Sequence, residues 1–112
     1  MPTGNLFANQ TPPISGERFD TLLQHHGLRI ERIISSADLT PTDYLQTNDE
    51  WVLLLHGHAM LRMAGQDLEL HSGDYVFIPA QTPHSVLSAS EGAIWLALHW
   101  QDEPKASPAS PI

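Results

Sequence analysis

The sequence predicts an all-β fold, a sandwich or barrel of short strands, with one short helix near the N-terminus. Three observations support this. Over 28–34 the side chains alternate with a period of two, as they do in a strand with two different faces. Gly and Pro residues then interrupt the apolar runs at short intervals through 57–92, which is typical of many short strands joined by tight turns. The chain has 112 residues, enough for one domain with one core.

The helix is predicted at about 16–25. Ser15 is a suitable N-cap residue, and apolar residues follow it at a spacing that would place them on one helical face. Gly27 fits the position just past a helix end. Residues 1–14 are rich in Pro and polar residues, and we expect them to lie as an arm on the body of the protein.

The remaining chain is divided into strands by its turn signals. Two of the apolar runs, 51–55 and 93–98, have almost no polar alternation, so the face turned away from the core needs a cover. A second sheet or a second subunit would supply it, and we expect a homodimer. The predicted strands are 28–34, 44–47, 50–56, 58–63, 67–71, 74–78, 84–89 and 93–100.

These predictions divide the chain into three parts. Residues 1–27 form the arm and helix, and 28–101 form the β domain. Residues 102–112 contain three prolines and little that could pack, so we expect a disordered tail.

Composition excludes several classes of partner. The net charge is −8, which opposes binding to phosphate backbones and anionic membranes, so we expect no nucleic acid and no membrane as partners. The chain contains no cysteine, and its N-terminus lacks the pattern of a signal peptide. We therefore expect a cytoplasmic protein.

The stretch GDYVFIPAQTPH is the most informative local sequence. Gly73 can adopt a positive φ before a strand, and Pro79 ends that strand because it cannot donate to a ladder. Pro83 then favours extended backbone before the strand that His84 begins. This arrangement places a histidine on rigid structure, where it is well positioned for chemistry.

This stretch resembles the second motif of the cupin superfamily, which is Gly, five residues, Pro, one residue, Gly, two residues, His, three residues, Asn. Gly73, Pro79 and His84 match, whereas Gln81 and Ser88 replace the second Gly and the Asn.

The first cupin motif is His-x-His, three or four residues, Glu, six residues, Gly. Glu50 and Gly57 match it, and Tyr44 and Gln46 stand where the two histidines would be. The resemblance covers about 38–100. It implies a jelly-roll β-barrel with a site in its mouth, in a branch of small single-domain cupins that mostly lack an assigned activity.

The resemblance also implies a set of site residues. In metal-binding cupins the four corresponding positions hold three His and one Glu, which suit Fe, Mn, Zn or Ni. Here they hold Tyr44, Gln46, Glu50 and His84. A divalent ion held by Gln46, Glu50 and His84 is one hypothesis, with His99 as a further ligand if it faces the cavity.

Two other interpretations of these four side chains remain open. The four side chains could form a hydrogen-bonded polar cluster, in which Tyr44, Gln46 and His84 donate to Glu50. They could instead bind a small organic molecule without a metal, with Glu50 and His84 as catalytic acid and base and with Tyr44 and Gln46 as binding residues. The functions to compare are a small-molecule-binding cupin, a metal-dependent oxygenase or isomerase, and a non-catalytic dimerisation or interaction module.

Overall fold

The computed structural model describes residues 3–101, which form two facing antiparallel sheets without a helix. The first sheet has the order β1-β2-β8-β3-β6, and the second has the order β5-β4-β7. The predicted tail at 102–112 lies outside the described residues. The strands are β1 (Glu17–His25), β2 (Leu28–Ser35), β3 (Asp49–His56), β4 (His58–Met63), β5 (Gln66–His71), β6 (Tyr75–Ile78), β7 (His84–Ala89) and β8 (Ala93–Trp100).

The prediction of an all-β jelly roll is confirmed, but the expected closed barrel is wrong. Hydrogen bonds join the strands within each sheet, and within the described residues no strand pair joins one sheet to the other. The two sheets therefore pack as an open sandwich, and the space between them is filled by side chains. There is also no helix in this part of the chain long and apolar enough to cross a membrane.

The predicted helix at 16–25 is wrong, because these residues form β1 and pair with β2. The two strands are joined by His26 and Gly27, whose φ values of 49° and 80° are those of a type I′ hairpin turn. Gly27 therefore serves a hairpin rather than a helix end. Phe19, Leu22 and Leu23 have a spacing that resembles one face of a helix. In the structure a β-bulge between Thr21 and Leu23 shifts the register of the strand at this point.

The predicted strand at 44–47 is reduced to one isolated bridge between Tyr44 and His84. Their backbones exchange two hydrogen bonds, of 2.8 and 3.1 Å. One further backbone hydrogen bond, from Gln81 N–H to the carbonyl oxygen of Gln46 at 2.7 Å, connects the same two segments.

The apolar core lies between the sheets and is built by strict alternation. On β3, Val52 and Leu54 point inward and are buried, whereas Trp51 and Leu53 point outward and are half-buried. Gly57 carries the chain from the first sheet to the second with a φ of 97°. A β-carbon there would stand 2.5 Å from Ser90 Oγ, which explains why this position of the motif is a glycine.

The outward side of β3, β6 and β8 is unusually apolar. Asp49 lies at the end of this side, opposite Trp100, and its carboxylate accepts a hydrogen bond from Ala80 N–H. Two ring pairs lie across the rest of it: Trp51 with Tyr75 at 5.5 Å and Phe77 with Trp100 at 6.1 Å. Tyr75 and Phe77 are 67% and 49% exposed. We call this surface the outer apolar face; its residues are Trp51, Leu53, Tyr75, Phe77, Leu96, Leu98 and Trp100.

The N-terminal arm lies against the first sheet through one buried arginine. The Arg32 guanidinium donates to the backbone oxygens of Leu6, Ala8 and Asn9. It also donates to the Asp20 carboxylate at 2.8 Å. These bonds hold the arm next to the β1–β2 hairpin.

Candidate functional site

A cavity of about 70 Å³ lies between the sheets, near the start of β3 and the end of β8. Its lining contains every site residue that the sequence singles out: Tyr44, Gln46, Glu50, His84 and His99. It also contains two carboxylates that the sequence analysis did not single out, Glu17 and Glu31. Residues distant along the chain therefore share one cavity.

The position of Glu50 follows from strand pairing. It is the second residue of β3 and lies opposite Ile78 of β6 and His99 of β8. Paired residues of adjacent strands share a face, so all three side chains point between the sheets. His99, whose direction the sequence left open, therefore faces the cavity.

His84 is fixed by a backbone contact. Its Nδ1 lies 3.0 Å from the carbonyl oxygen of Thr82. A carbonyl oxygen can only accept, so Nδ1 carries the proton and donates it. The other ring nitrogen, Nε2, then faces Glu50 Oε1 at 3.6 Å, and the ring of Tyr44 stacks on the imidazole at 5.8 Å.

Glu50 is buried but lacks a hydrogen-bond donor at Oε1. This oxygen accepts no hydrogen bond from the described part of the chain, and the amide oxygen of Gln46 is unpartnered in the same way. The 3.6 Å separation from His84 is too long for a hydrogen bond. The expected cluster in which neighbours donate to Glu50 is therefore wrong at Oε1. Burial raises the pKa of Glu50, and the nearby charges of His99 and His84 oppose this.

His99 has both ring nitrogens engaged. Nδ1 lies 3.0 Å from the amide nitrogen of Asn48, which also donates to the backbone oxygen of Asp49, so the amide orientation is set and Nδ1 accepts. Nε2 then carries the proton and donates to Glu31 Oε1 at 3.1 Å. This hydrogen bond is the main reason why the pKa of Glu31 is lowered.

Glu17 forms a second polar chain at the cavity. Its carboxylate accepts a 2.6 Å hydrogen bond from Ser35 Oγ, which accepts one from the indole nitrogen of Trp95 at 3.0 Å. Burial raises the pKa of Glu17, and the hydrogen bond from Ser35 opposes this.

Glu17 and Glu31 could have been found from the alternation of the first hairpin. Glu17 and Phe19 share a face, as do Glu31 and Ile33, and the cavity is on that face. Because 16–25 was predicted as a helix, Glu17 and Phe19 were not expected on one face of a strand. No motif marks Glu31 and Ile33.

Gln81 stands where the second cupin motif has a glycine, and its backbone still adopts a conformation that favours glycine. Its φ is 64°, a left-handed conformation that costs a non-glycine residue about 1–2 kcal/mol. Its backbone N–H donates to the carbonyl oxygen of Gln46 at 2.7 Å. The strained turn therefore helps to hold Gln46 at the cavity.

The residues present do not fit the transition metal that the cupin resemblance implies. Within residues 3–101, no three His, Asp or Glu side chains are arranged to share one ion. His99 has no free nitrogen lone pair, and Tyr44 and Gln46 replace two imidazoles with a hydroxyl and an amide. Only Glu50 and His84 remain as strong ligands, and two ligands are fewer than such ions take from a protein.

The fold and the cavity define a jelly-roll protein with a site between its sheets. A family model described as Cupin domain matches residues 34–99, more than half of the chain. The chain belongs to the cupin family, as its motifs predicted. A search of curated proteins finds no match to the sequence.

Solved structures agree with this assignment. A protein from Ralstonia eutropha JMP134, described as a candidate mannose-6-phosphate isomerase, is 35% identical, with a TM-score of 0.81 over 89% of this chain and 98% of that one. An RmlC-like cupin from Shewanella frigidimarina NCIMB 400 is 19% identical, with a TM-score of 0.72 over 87% and 89% of the two chains. KdgF from Halomonas sp. is 15% identical, with a TM-score of 0.71 over 79% and 82%. The last two share the fold alone.

Proposed function

We propose that the cavity binds a small molecule and that Glu50 and His84 exchange a proton with it. The observation that carries this proposal is the pair itself: an unpartnered, buried carboxylate oxygen 3.6 Å from His84 Nε2. Two acceptors held this close without a hydrogen bond between them are poised for a proton or for a donor from a ligand. A ligand atom placed beside the pair can reach both.

The roles within the pair follow from the hydrogen bonds. The Nδ1 proton of His84 is committed to Thr82, so Nε2 is the nitrogen that gains or loses a proton. Burial raises the pKa of Glu50, so its carboxyl binds a proton more tightly than an exposed carboxyl does. Val52 and Ile78 form apolar walls nearby, which strengthen electrostatic interactions within the cavity.

The size of the cavity limits the molecule. Pockets for drug-sized ligands occupy roughly 300–1,000 Å³. This cavity, of about 70 Å³, takes a molecule with only a few non-hydrogen atoms or one end of a larger molecule.

The lining of the cavity does not favour mannose 6-phosphate, the sugar in the description of the Ralstonia eutropha protein. Mannose 6-phosphate is a hexose bearing a phosphate dianion, and proteins bind phosphate with Arg, Lys or helix N-termini. Among the described residues, the cavity lining contains three carboxylates and neither Lys nor Arg. The donor set likewise does not favour a metal-dependent oxygenase or isomerase.

NMR of the tryptophan indoles tests the proposal. Trp95 lines the cavity, whereas Trp51 and Trp100 lie on the outer apolar face and act as internal controls. In titrations with small alcohols, amines, amides and carboxylic acids, at least one compound should move the Trp95 indole signal to saturation and leave the other two in place. The Glu50→Gln and His84→Asn variants should weaken that binding by about tenfold, the loss expected for one charge-assisted hydrogen bond.

Two controls make the test decisive. Glu69→Gln makes the same chemical change at an exposed carboxylate on β5 and should leave the binding unchanged. If no compound moves Trp95, or if both cavity variants bind as well as the original chain, the proposal is wrong. Saturable Zn²⁺ binding that His84→Asn abolishes would replace the metal-free site with a metal site.

A second candidate function, assembly, is favoured by the outer apolar face. We propose that a second copy of the chain covers it, as expected from the two-sided apolar strands. The seven residues that define the face are uncharged, on a chain whose net charge of −8 opposes self-association elsewhere. In a two-fold dimer the same aromatic side chains would be supplied by both partners.

A further inference from the structure

We infer that the cavity selects a small nitrogen cation, a protonated amine or amidine, over neutral or anionic molecules of the same shape. This inference rests on the proposed small-molecule function and names its ligand class. It comes from the balance of acceptors, charges and aromatic rings in the lining.

The first argument is the surplus of hydrogen-bond acceptors. The two buried cavity atoms without a partner, Glu50 Oε1 and Gln46 Oε1, are both acceptors. The imidazole and indole donors around them are already used: His84 Nδ1–H by Thr82 and the Trp95 indole by Ser35. A ligand that brings several N–H donors would satisfy oxygens that the protein leaves unsatisfied, whereas an acceptor ligand would add to the surplus.

The second argument is charge. Three carboxylates line the cavity, and within the described residues neither Lys nor Arg does. Arg29 approaches from outside the lining, with its Nε 3.6 Å from Glu31 Oε2, so Glu31 has a cationic neighbour in addition to its bond from His99. Glu17 is hydrogen-bonded only by neutral Ser35, and Glu50 by none of the described groups at Oε1. The unbalanced charge of the cavity is therefore negative, which favours a cation.

The third argument is the aromatic content of the walls. Phe19, Tyr44 and Trp95 all line the cavity, and Phe19 and Tyr44 are the exposed ones, at 52% and 37%. The faces of aromatic rings attract cations, most strongly where water is excluded. An entering cation would therefore meet aromatic side chains first and carboxylates further in.

The raised pKa values of two cavity carboxyls predict how cation binding should depend on pH. Burial raises the pKa of Glu17 and of Glu50. A bound cation would stabilise the ionised forms, so binding should release protons and should tighten as the pH rises through those pKa values.

An isosteric series tests the inference. Acetamidinium, acetamide and acetate are planar molecules of nearly the same size that differ in charge and in the number of N–H donors. At neutral pH and equal ionic strength, we expect acetamidinium to move the Trp95 indole signal to saturation and to bind at least about tenfold more tightly than acetamide, with acetate weakest. Glu50→Gln should remove most of this preference, and Glu17→Gln should reduce it independently.

The outcomes separate the two proposals. If acetamide or acetate binds as tightly as acetamidinium, the ligand class is wrong although a small-molecule site remains. If none of the three compounds, nor any other in the broader panel, moves Trp95, the small-molecule function itself fails. Glu69→Gln should keep the preference, and unchanged Trp51 and Trp100 signals in each variant would show that its fold is intact.

Discussion

Near the cavity, the two faces of the five-stranded sheet have the opposite polarity from that of most sandwiches. In most sandwiches the inward residues are apolar and the outward ones polar. Near the cavity, the inward face carries Glu31, Glu50 and His99, whereas the outward face of the same strands carries Trp51 and Leu98. At this end, β3 and β8 therefore bury ionisable groups while they carry large apolar side chains on the outward face.

This inversion is confined to one end of the sandwich. At the other end the inward residues are ordinary core, such as Leu54 and Ala93, neither of which is exposed. Burying carboxylates without full pairing destabilises a fold, and local departures of this kind are expected where a site is built. The comparison thus separates an end that stabilises the fold from an end that carries the proposed site.

The largest expected effect tests the apolar end. Leu54→Ala should lower the free energy of unfolding by about 2–5 kcal/mol, because it opens a cavity at a fully buried position. Leu53→Ala, the adjacent outward residue on β3, is the matched control and should cost less. Urea unfolding measures both. Equal losses for the two leucines would show that the outer face is packed as tightly as the core.

The next effect tests the outer apolar face. Light scattering at micromolar concentration should give a mass twice the 12.4 kDa of one chain. Phe77→Asp should give single chains, since it places a carboxylate on that face beside Trp51 and Trp100, a change worth about 2 kcal/mol or more at an interface. Phe7→Asp, on the arm, introduces the same charge at a residue of similar exposure and should leave the mass unchanged. A single-chain mass for the original sequence would contradict the homodimer.

The smallest effect tests the polar end through the pH dependence of stability. Because burial raises the pKa of Glu50 above its ordinary 4.5, the folded state holds this proton more tightly than the unfolded state does. The stability due to Glu50 is therefore complete below 4.5 and is lost as the pH rises through the folded-state pKa. His84, His99 and Arg29 oppose the rise in pKa, and Glu31 adds to it.

The Glu50→Gln variant has no carboxyl at this position, so it does not lose stability through ionisation of residue 50. Relative to the original chain, the variant should become progressively more stable as the pH rises above 4.5, as measured by urea unfolding at a series of pH values. Glu69→Gln, at an exposed position, should show no such trend. A constant difference between Glu50→Gln and the original chain at all pH values would mean that Glu50 ionises as it does in water.

Local motifs account for what could be predicted from the sequence. The strands from β2 onward are predicted from the alternation over 28–34, from short apolar runs and from turn residues, all of which act over a few residues. Glu50 and His84 were found because the cupin motifs mark their positions at the starts of β3 and β7. Their shared cavity follows from strand alternation once the sheets pair.

The remainder depends on contacts between distant residues. The segment 17–25 carries local signals for a helix, and only its pairing with β2 makes it a strand. The direction of His99 depends on the register of β8 against β2 and β3. Whether Glu50 Oε1 has a hydrogen-bond donor depends on its distances to side chains from other parts of the chain, which no local pattern encodes.

The first hairpin has a practical consequence for anyone who shortens this chain. Two of the three carboxylates in the lining, Glu17 and Glu31, precede the segment 34–99 that the family model recognises. A fragment trimmed to that segment would keep both motifs and still lose one wall of the hollow between the sheets. Relatives could likewise alter what they accept by exchanging this hairpin while every signature residue stays in place.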